Sequence, residues 1–390
     1  IKQGDKITID GGNGCVYLGE VKTIAPEIFQ EFKTILEWCD EIKKTSVRTN
    51  AETSKDCKTA IQFGAEGIGL CRTEHMFFEK TRILYVRQMI LAQNSQERSL
   101  ALAKLLPYQK NDFVEIFEIM NGLPVNIRLL DPPLHEFLPQ KSEEIEELAR
   151  LLSLSVNAVE NRVHSLHEQN PMLGHRGCRL GVTYPEIYKM QIEAIFQAGY
   201  EILNKTSKSP NIEIMIPFIV GESELLFLRN IIDNTYQELS QKNSNKTLRY
   251  AVGTMIETPR AALLSGKIAK IADYFSFGTN DLTQTTMALS RDDSANFIKD
   301  YIEKNIFSSD PFEILDIEGV GELLKISSNN ARLTKNNIKL GICGEHGGEP
   351  NSVKFCCDLD FNYVSCSPYR IPIAKVASAQ AQIERQKLKQ

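Results

Sequence analysis

Short apolar runs recur along the chain at 47–50, 67–72, 125–131, 174–180, 212–217, 251–257, 274–281 and 340–344, and most of them end in or beside an ionisable or amide side chain. Between most of them the apolar residues change to helical spacing, predicting helices over 59–63, 82–93, 97–106, 141–152, 185–198 and 259–272. Near-continuous apolar runs of this length fit strands buried on both faces of a parallel sheet. Eight of them with intervening helices predict an α/β chain folded as a (β/α)₈ barrel over 46–390. That span exceeds the roughly 250 residues usual for the fold. The surplus falls in three long inter-strand stretches: after Glu74, after Asp131, and over 281–339. In such barrels the chemistry sits at the carboxyl ends of the strands, where the polar residues of these runs fall. The pattern predicts an enzyme.

Upstream, residues 4–19 alternate as a strand, a Gly-rich turn and a second strand, a hairpin signature. A hairpin alone is marginally stable, so 1–22 reads as the remnant of another domain, and a chain opening at Ile1 reads as a fragment. Residues 25–44 predict an amphipathic linker helix with Ile28, Phe32, Ile35, Leu36, Cys39 and Ile42 on one face and Pro26 in its first turn, giving a linker over 23–45. The polar stretches 205–210 and 240–246 read as loops.

A net charge of -5 with mixed signs leaves no basic stripe, which argues against a nucleic-acid partner. No apolar run approaches a membrane span, and the first residues do not resemble a signal peptide, which argues against a membrane role. Nine dispersed cysteines without a C-x-x-C pair read as reduced thiols, hence a cytoplasmic setting, any upstream targeting peptide aside. The six histidines show no zinc spacing.

Glu257 and Asp281 are the first candidates for chemistry. On this reading they end the sixth and seventh strands, and neighbouring strands lie about 4.8 Å apart, so both carboxylates can reach one Mg²⁺. The plainer alternative makes Glu257 a cap for the helix entered at Thr258-Pro259 and Asp281 an Asx-type cap. Gly278, Thr279 and Asn280 form a small-residue turn into a helix start, where free backbone N–H groups suit an anion. Arg48, Arg72, Arg128 and Arg176 would close four strands around one mouth, and guanidinium matches phosphate in a two-point fashion. Arg72, close to Glu74, could equally be an ordinary ion pair. Cys343 would end the eighth strand beside Glu345 and His346, where a thiol can transfer protons. A buried free cysteine is more often inert.

The segments Val47-Arg48-Thr49-Asn50-Ala51-Glu52, Gly67-Ile68-Gly69-Leu70-Cys71-Arg72-Thr73-Glu74-His75-Met76-Phe77, Leu130-Asp131-Pro132-Pro133-Leu134-His135-Glu136-Phe137, Gly174-His175-Arg176-Gly177-Cys178-Arg179, Glu257-Thr258-Pro259-Arg260-Ala261, Ser276-Phe277-Gly278-Thr279-Asn280-Asp281, Ser290-Arg291-Asp292-Asp293 and Cys343-Gly344-Glu345-His346-Gly347-Gly348 together resemble the phosphoenolpyruvate-utilising enzymes. The resemblance covers essentially the whole chain. The Leu-Asp-Pro-Pro-Leu-His-Glu and Cys-Gly-Glu-His-Gly-Gly stretches are closer to the dikinase branch than to phosphoenolpyruvate synthase or the sugar phosphotransferase enzyme I. It implies that Arg48 and Arg128 hold the phosphoryl group of phosphoenolpyruvate, with Arg176 lining the same pocket. Glu257 and Asp281 would bind Mg²⁺. Gly278, Thr279 and Asn280 would cradle the substrate carboxylate, and Cys343 would exchange a proton with the methylene carbon of enolpyruvate. The implied partners are pyruvate or phosphoenolpyruvate, a phosphohistidine on a separate swivelling domain, and a second copy in a homodimer. The phosphohistidine motif and a nucleotide-binding region do not occur in this sequence, so ATP use would belong to other domains of a longer protein. A metal-dependent lyase acting on a pyruvate enolate is the runner-up, and it leaves Cys343 and the surplus arginines without a task.

Overall fold

In the computed structural model, which describes residues 1–10, 14–23, 30–79, 81–244 and 246–388, two strands form a hairpin and eight close into a parallel barrel. The hairpin pairs β1 (Ile7–Asp10) with β2 (Cys15–Leu18), Ile7 opposite Leu18 and Asp10 opposite Cys15. The barrel strands are β3 (Ser46–Asn50), β4 (Ile68–Arg72), β5 (Pro124–Arg128), β6 (Asn211–Ile216), β7 (Tyr250–Ile256), β8 (Tyr274–Gly278), β9 (Lys339–Cys343) and β10 (Tyr363–Cys366). They run β10-β3-β4-β5-β6-β7-β8-β9 around the closed sheet. The chain divides into two compact units, Ile1–Trp38 and Cys39–Gln390. The linker-helix expectation corresponds to the helix Gln30–Ile42; Pro26 and Ile28 lie outside the described residues.

The barrel is as expected, but one of its strands is not where the apolar pattern put it. The run 174–180 forms no strand: a 3₁₀ turn (Pro171–Leu173) precedes it, and the helix Cys178–Thr183 starts within it. Its two glycines and three basic residues leave too little apolar surface for a position buried on both faces, and Gly177 at φ +58° turns the chain. The eighth strand is instead β10, four residues long and wholly buried. Glu257 and Asp281 therefore follow the fifth and sixth barrel strands, and Cys343 ends the seventh. Helices are also longer or more broken than expected. Ser95–Met120 runs through Pro107, and the stretch after Glu257 divides into Pro259–Leu263 and Ser265–Ile268. Pro185–Thr206 and Glu222–Lys242 extend into the expected loops.

Inside the barrel, the amino-terminal layer is polar. Arg48 on β3 bonds Glu213 on β6 (2.6 Å), Lys339 on β9 bonds the same carboxylate (2.6 Å), and the Arg48 guanidinium lies 4.1 Å from the Tyr363 ring centroid. Asn126 accepts from the Tyr274 hydroxyl (2.9 Å) and donates to that of Tyr363 (3.2 Å). A Cβ at Gly341 would lie 2.0 Å from the Tyr363 ring, so only glycine lets that tyrosine fill the axis. The layer above is apolar, built from Leu70, Met215, Met255 and Cys343. It forms the floor of the mouth.

Candidate active site

The carboxyl ends of the strands enclose a cavity of about 450 Å³. Arg72 and Arg128 stand in register at the ends of β4 and β5, so two guanidiniums enter from one wall. Arg72 donates to Glu52 (3.3 Å) and stays partly exposed. Arg128 is buried against Glu74 and Asp131, the latter at 2.9 Å. Arg176 enters from the loop before Cys178–Thr183. It bonds Asp131 (2.6 Å) and Asp281 (3.0 Å), and its guanidinium packs 4.4 Å from the Phe218 ring. Burial opposes the charge on Arg128 and Arg176, but surrounding carboxylates outweigh it and hold both firmly protonated. Burial likewise pushes Asp131 up, yet Arg128 and Arg176 hold it below the usual carboxylate range.

Glu257 lies directly after β7. Thr258, not Glu257, caps the following helix by accepting from the Ala261 N–H (3.2 Å). Glu257 is thus released from the capping role. Its Oε1 accepts from the Phe218 N–H at 2.6 Å, while its fully buried Oε2 has no hydrogen-bond partner. Phe218 holds φ +60°, an uncommon conformation for a bulky residue. Burial first, and then the nearby Asp281 and Asp131, push the Glu257 carboxyl well above its ordinary range. Asp281 is raised by burial and Asp131 against the pull of Arg176. A Cβ on Gly278 would fall 2.5 Å from Glu257 Oε2, so this glycine makes room for the carboxylate.

Asp281 sits in the first turn of the helix Thr279–Met287, whose N-terminus carries no side-chain cap. Gly278 and Asn280 line the cavity, and Asn280 Oδ1 is buried without a partner. Thr279 does not line it. Its hydroxyl meets His346 Nδ1 at 2.7 Å, and His346 Nε2 lies 3.0 Å from the Pro311 carbonyl, which can only accept. The ring therefore carries its proton on Nε2, and burial keeps it neutral.

Cys343 reaches the cavity from β9 with the thiol buried. Ser276 Oγ donates to its sulfur at 3.4 Å. Burial pushes the thiol up to about 11, against a lowering by the Ser276 bond. At neutral pH it holds its proton.

Most of the sequence candidates therefore share one cavity: Arg128, Arg176, Glu257, Gly278, Asn280, Asp281 and Cys343, joined by Arg72. Arg48 does not, because Glu213 holds it in the amino-terminal layer. Sequence reasoning also passed over Asp131, which bridges Arg128 and Arg176, and Phe218. Asp131 carried a signal, since it closes an apolar run; Phe218 carried none.

A (β/α)₈ barrel whose mouth is lined by four arginines (Arg72, Arg128, Arg176 and Arg291), five carboxylates and a protonated thiol offers partners for both anionic groups and a cation. Residues 27–383 match the family described as PEP-utilising enzyme, PEP-binding domain, and the chain belongs to that family. It is 56% identical to the pyruvate, phosphate dikinase of Rickettsia prowazekii over 385 residues, which is 99% of this chain and 44% of that protein. It is 54% identical to that of Rhizobium meliloti (98% of this chain, 42% of that protein) and 48% identical to that of Clostridium symbiosum (97% and 43%). The chain spans less than half the length of these relatives. Among the described residues, no helix is long and apolar enough to cross a membrane.

Proposed function

We propose that this chain carries the phosphoenolpyruvate/pyruvate half-reaction of a pyruvate, phosphate dikinase, moving a phosphoryl group reversibly between phosphoenolpyruvate and a histidine on a separate domain. The reading rests on one observation, the convergence of Arg72, Arg128 and Arg176 with Glu257, Asp281 and Cys343 in a single cavity. The three arginines neutralise the charge spread over the phosphoryl oxygens as the bridging P–O bond breaks. The uncapped helix start at Gly278-Thr279-Asn280 offers backbone N–H groups, and Asn280 a side-chain amide, to the substrate carboxylate. The electron pair left on the enolate is taken up when Cys343 gives its proton to the methylene carbon, yielding pyruvate and a thiolate. In reverse the thiolate removes a methyl proton.

Glu257 and Asp281 would hold Mg²⁺. The orphaned Glu257 Oε2 and Asn280 Oδ1 are hard oxygen donors in the right wall. Bound there, the ion would supply electrostatic stabilisation of the developing enolate oxygen. Two carboxylates leave the rest of the ion's coordination to substrate oxygens and water.

The hairpin, with Ile9 and Leu18 largely exposed, would be the end of the swivelling phosphohistidine domain, 23–45 the linker and 46–390 the substrate domain. The full conversion of ATP, phosphate and pyruvate to AMP, pyrophosphate and phosphoenolpyruvate would involve domains outside this chain, in a cytoplasmic homodimer. The test mixes the chain with a separately made phosphohistidine domain and follows Mg²⁺-dependent phosphoryl transfer from phosphoenolpyruvate. Transfer, with loss in Glu257→Gln, supports the assignment. Carbon–carbon cleavage of a 2-oxo acid without phosphoryl transfer would support the lyase instead.

A further inference from the structure

At the opposite, amino-terminal end of the barrel lies a second cavity of about 400 Å³, bounded by the starts of β3, β9 and β10 and by the helix Ile371–Lys387. Four cations line it: Lys44, Arg48, Lys339 and Arg385. Two carboxylates answer them. Glu213 is shared by Arg48 and Lys339, and Asp360 is held by Arg385 at 2.7 Å. Positive charge is left over, and Lys44, on the exposed rim, forms no ion pair within 4 Å among the described residues, acting on Asp360 only at longer range.

One buried polar atom at this wall, Arg48 Nε, lacks a hydrogen-bond partner, and its residue is 5% exposed; the hydroxyl of Ser378, 1% exposed, meets the Cys357 thiol. Ser378, Gln382 and Arg385 recur at i, i+4 and i+7, so one helix face turns a hydroxyl, an amide and a guanidinium toward the cavity. Unsatisfied buried polar atoms cost free energy unless something meets them. Substrate chemistry at the mouth does not use any of these groups.

We propose that this cavity is a second anion site, taking the phosphate group of a small phosphorylated metabolite. Donors converging from three elements suit a tetrahedral oxyanion better than a planar carboxylate. The volume lies in the range of small-molecule pockets and leaves room beyond a bare phosphate. Arg48 links the two ends of the barrel: it lines this cavity, and its guanidinium packs on Tyr363 beneath the floor of the mouth.

The test is hydrogen–deuterium exchange of the whole chain titrated with inorganic phosphate, with sodium chloride at matched ionic strength as control. Phosphate is expected to slow exchange in 371–388 by about twofold or more. The concentration needed should rise about tenfold in Lys44→Glu, where an exposed rim cation is reversed, and should fall outside reach in Lys44→Glu/Ser378→Val. Arg72→Gln, which alters only the mouth, should leave the protection of 371–388 unchanged. The idea is overturned if phosphate protects the mouth alone, if chloride protects 371–388 equally, or if Lys44→Glu titrates like the unaltered chain.

Discussion

A thiol that donates protons at neutral pH has to keep them there, and Cys343 does so because its surroundings disfavour the thiolate. Its folded value of about 11 lies above the ordinary 9.0, so the stability this group contributes is full below about pH 9 and is lost as pH rises through 11. Chemical denaturation of wild type and Cys343→Ala should show a stability difference that shrinks across that window; a difference constant from pH 8 to 11 would contradict the burial argument. In function, Cys343→Ala should abolish exchange of pyruvate methyl protons with solvent while oxalate, an enolate mimic, still binds within about twofold. The arginines separate in the same manner. Arg72→Gln should weaken phosphoenolpyruvate at least about tenfold with little change in melting temperature, because the ion pair it makes among the described residues is a partly exposed one. Arg48→Met should do the reverse, costing about 3 kcal/mol by leaving Glu213 with half its neutralisation. The sequence showed that arginines were concentrated in these runs, and Arg128 and Arg176 were legible from it. It did not show that Arg48, two residues before its strand ends, falls a layer below Arg72, which is the last residue of its own. Depth along a barrel axis depends on the stagger of neighbouring strands, which apolar pattern does not carry.

At the level of elements, the barrel strands legible in the sequence were the longer apolar ones. The strand β10, Tyr-Val-Ser-Cys, is four residues long and carries a serine, so its periodicity is too brief to register. The run at 174–180 registered for the opposite reason: Cys178 and Leu180 belong to a helix that the neighbouring glycines made look like a strand end. Their grouping survived the miscount because Glu257 and Asp281 follow, and Cys343 ends, three neighbouring strands whichever number these bear. Packing between β9 and β10 gives the prediction at this scale. In Gly341→Ala a methyl group must displace the Tyr363 ring, and the surrounding Arg48 and Asn126 contacts resist that shift. Overpacking of this kind costs about 1–3 kcal/mol, so the urea midpoint should fall while the unfolding slope stays the same. An unchanged midpoint would mean the polar layer yields freely.

For the molecule as a whole, the division at Trp38 and Cys39 separates the hairpin from every residue assigned to the cavity. The barrel unit keeps its own closure at this end: Lys375, buried on the helix Ile371–Lys387, bonds Asp40 at 2.8 Å, and Lys43 bonds Glu66 at 2.8 Å. Both contacts hold the last turn of the linker helix, so they survive removal of everything before it. A chain beginning at residue 30 should therefore unfold in one cooperative transition, with a melting temperature within a few degrees of the intact chain's. Mg²⁺-dependent oxalate binding should be unaltered, since the residues that line the mouth run from Leu70 to Glu345. Phosphoryl transfer is the discriminating readout. If the hairpin belongs to the swivelling domain, its loss should leave transfer to a separately supplied phosphohistidine domain as slow or as fast as before, because tethering raises only the effective concentration of a domain already attached. A shortened chain that binds oxalate normally but transfers far more slowly to the free domain would give the hairpin a docking role instead.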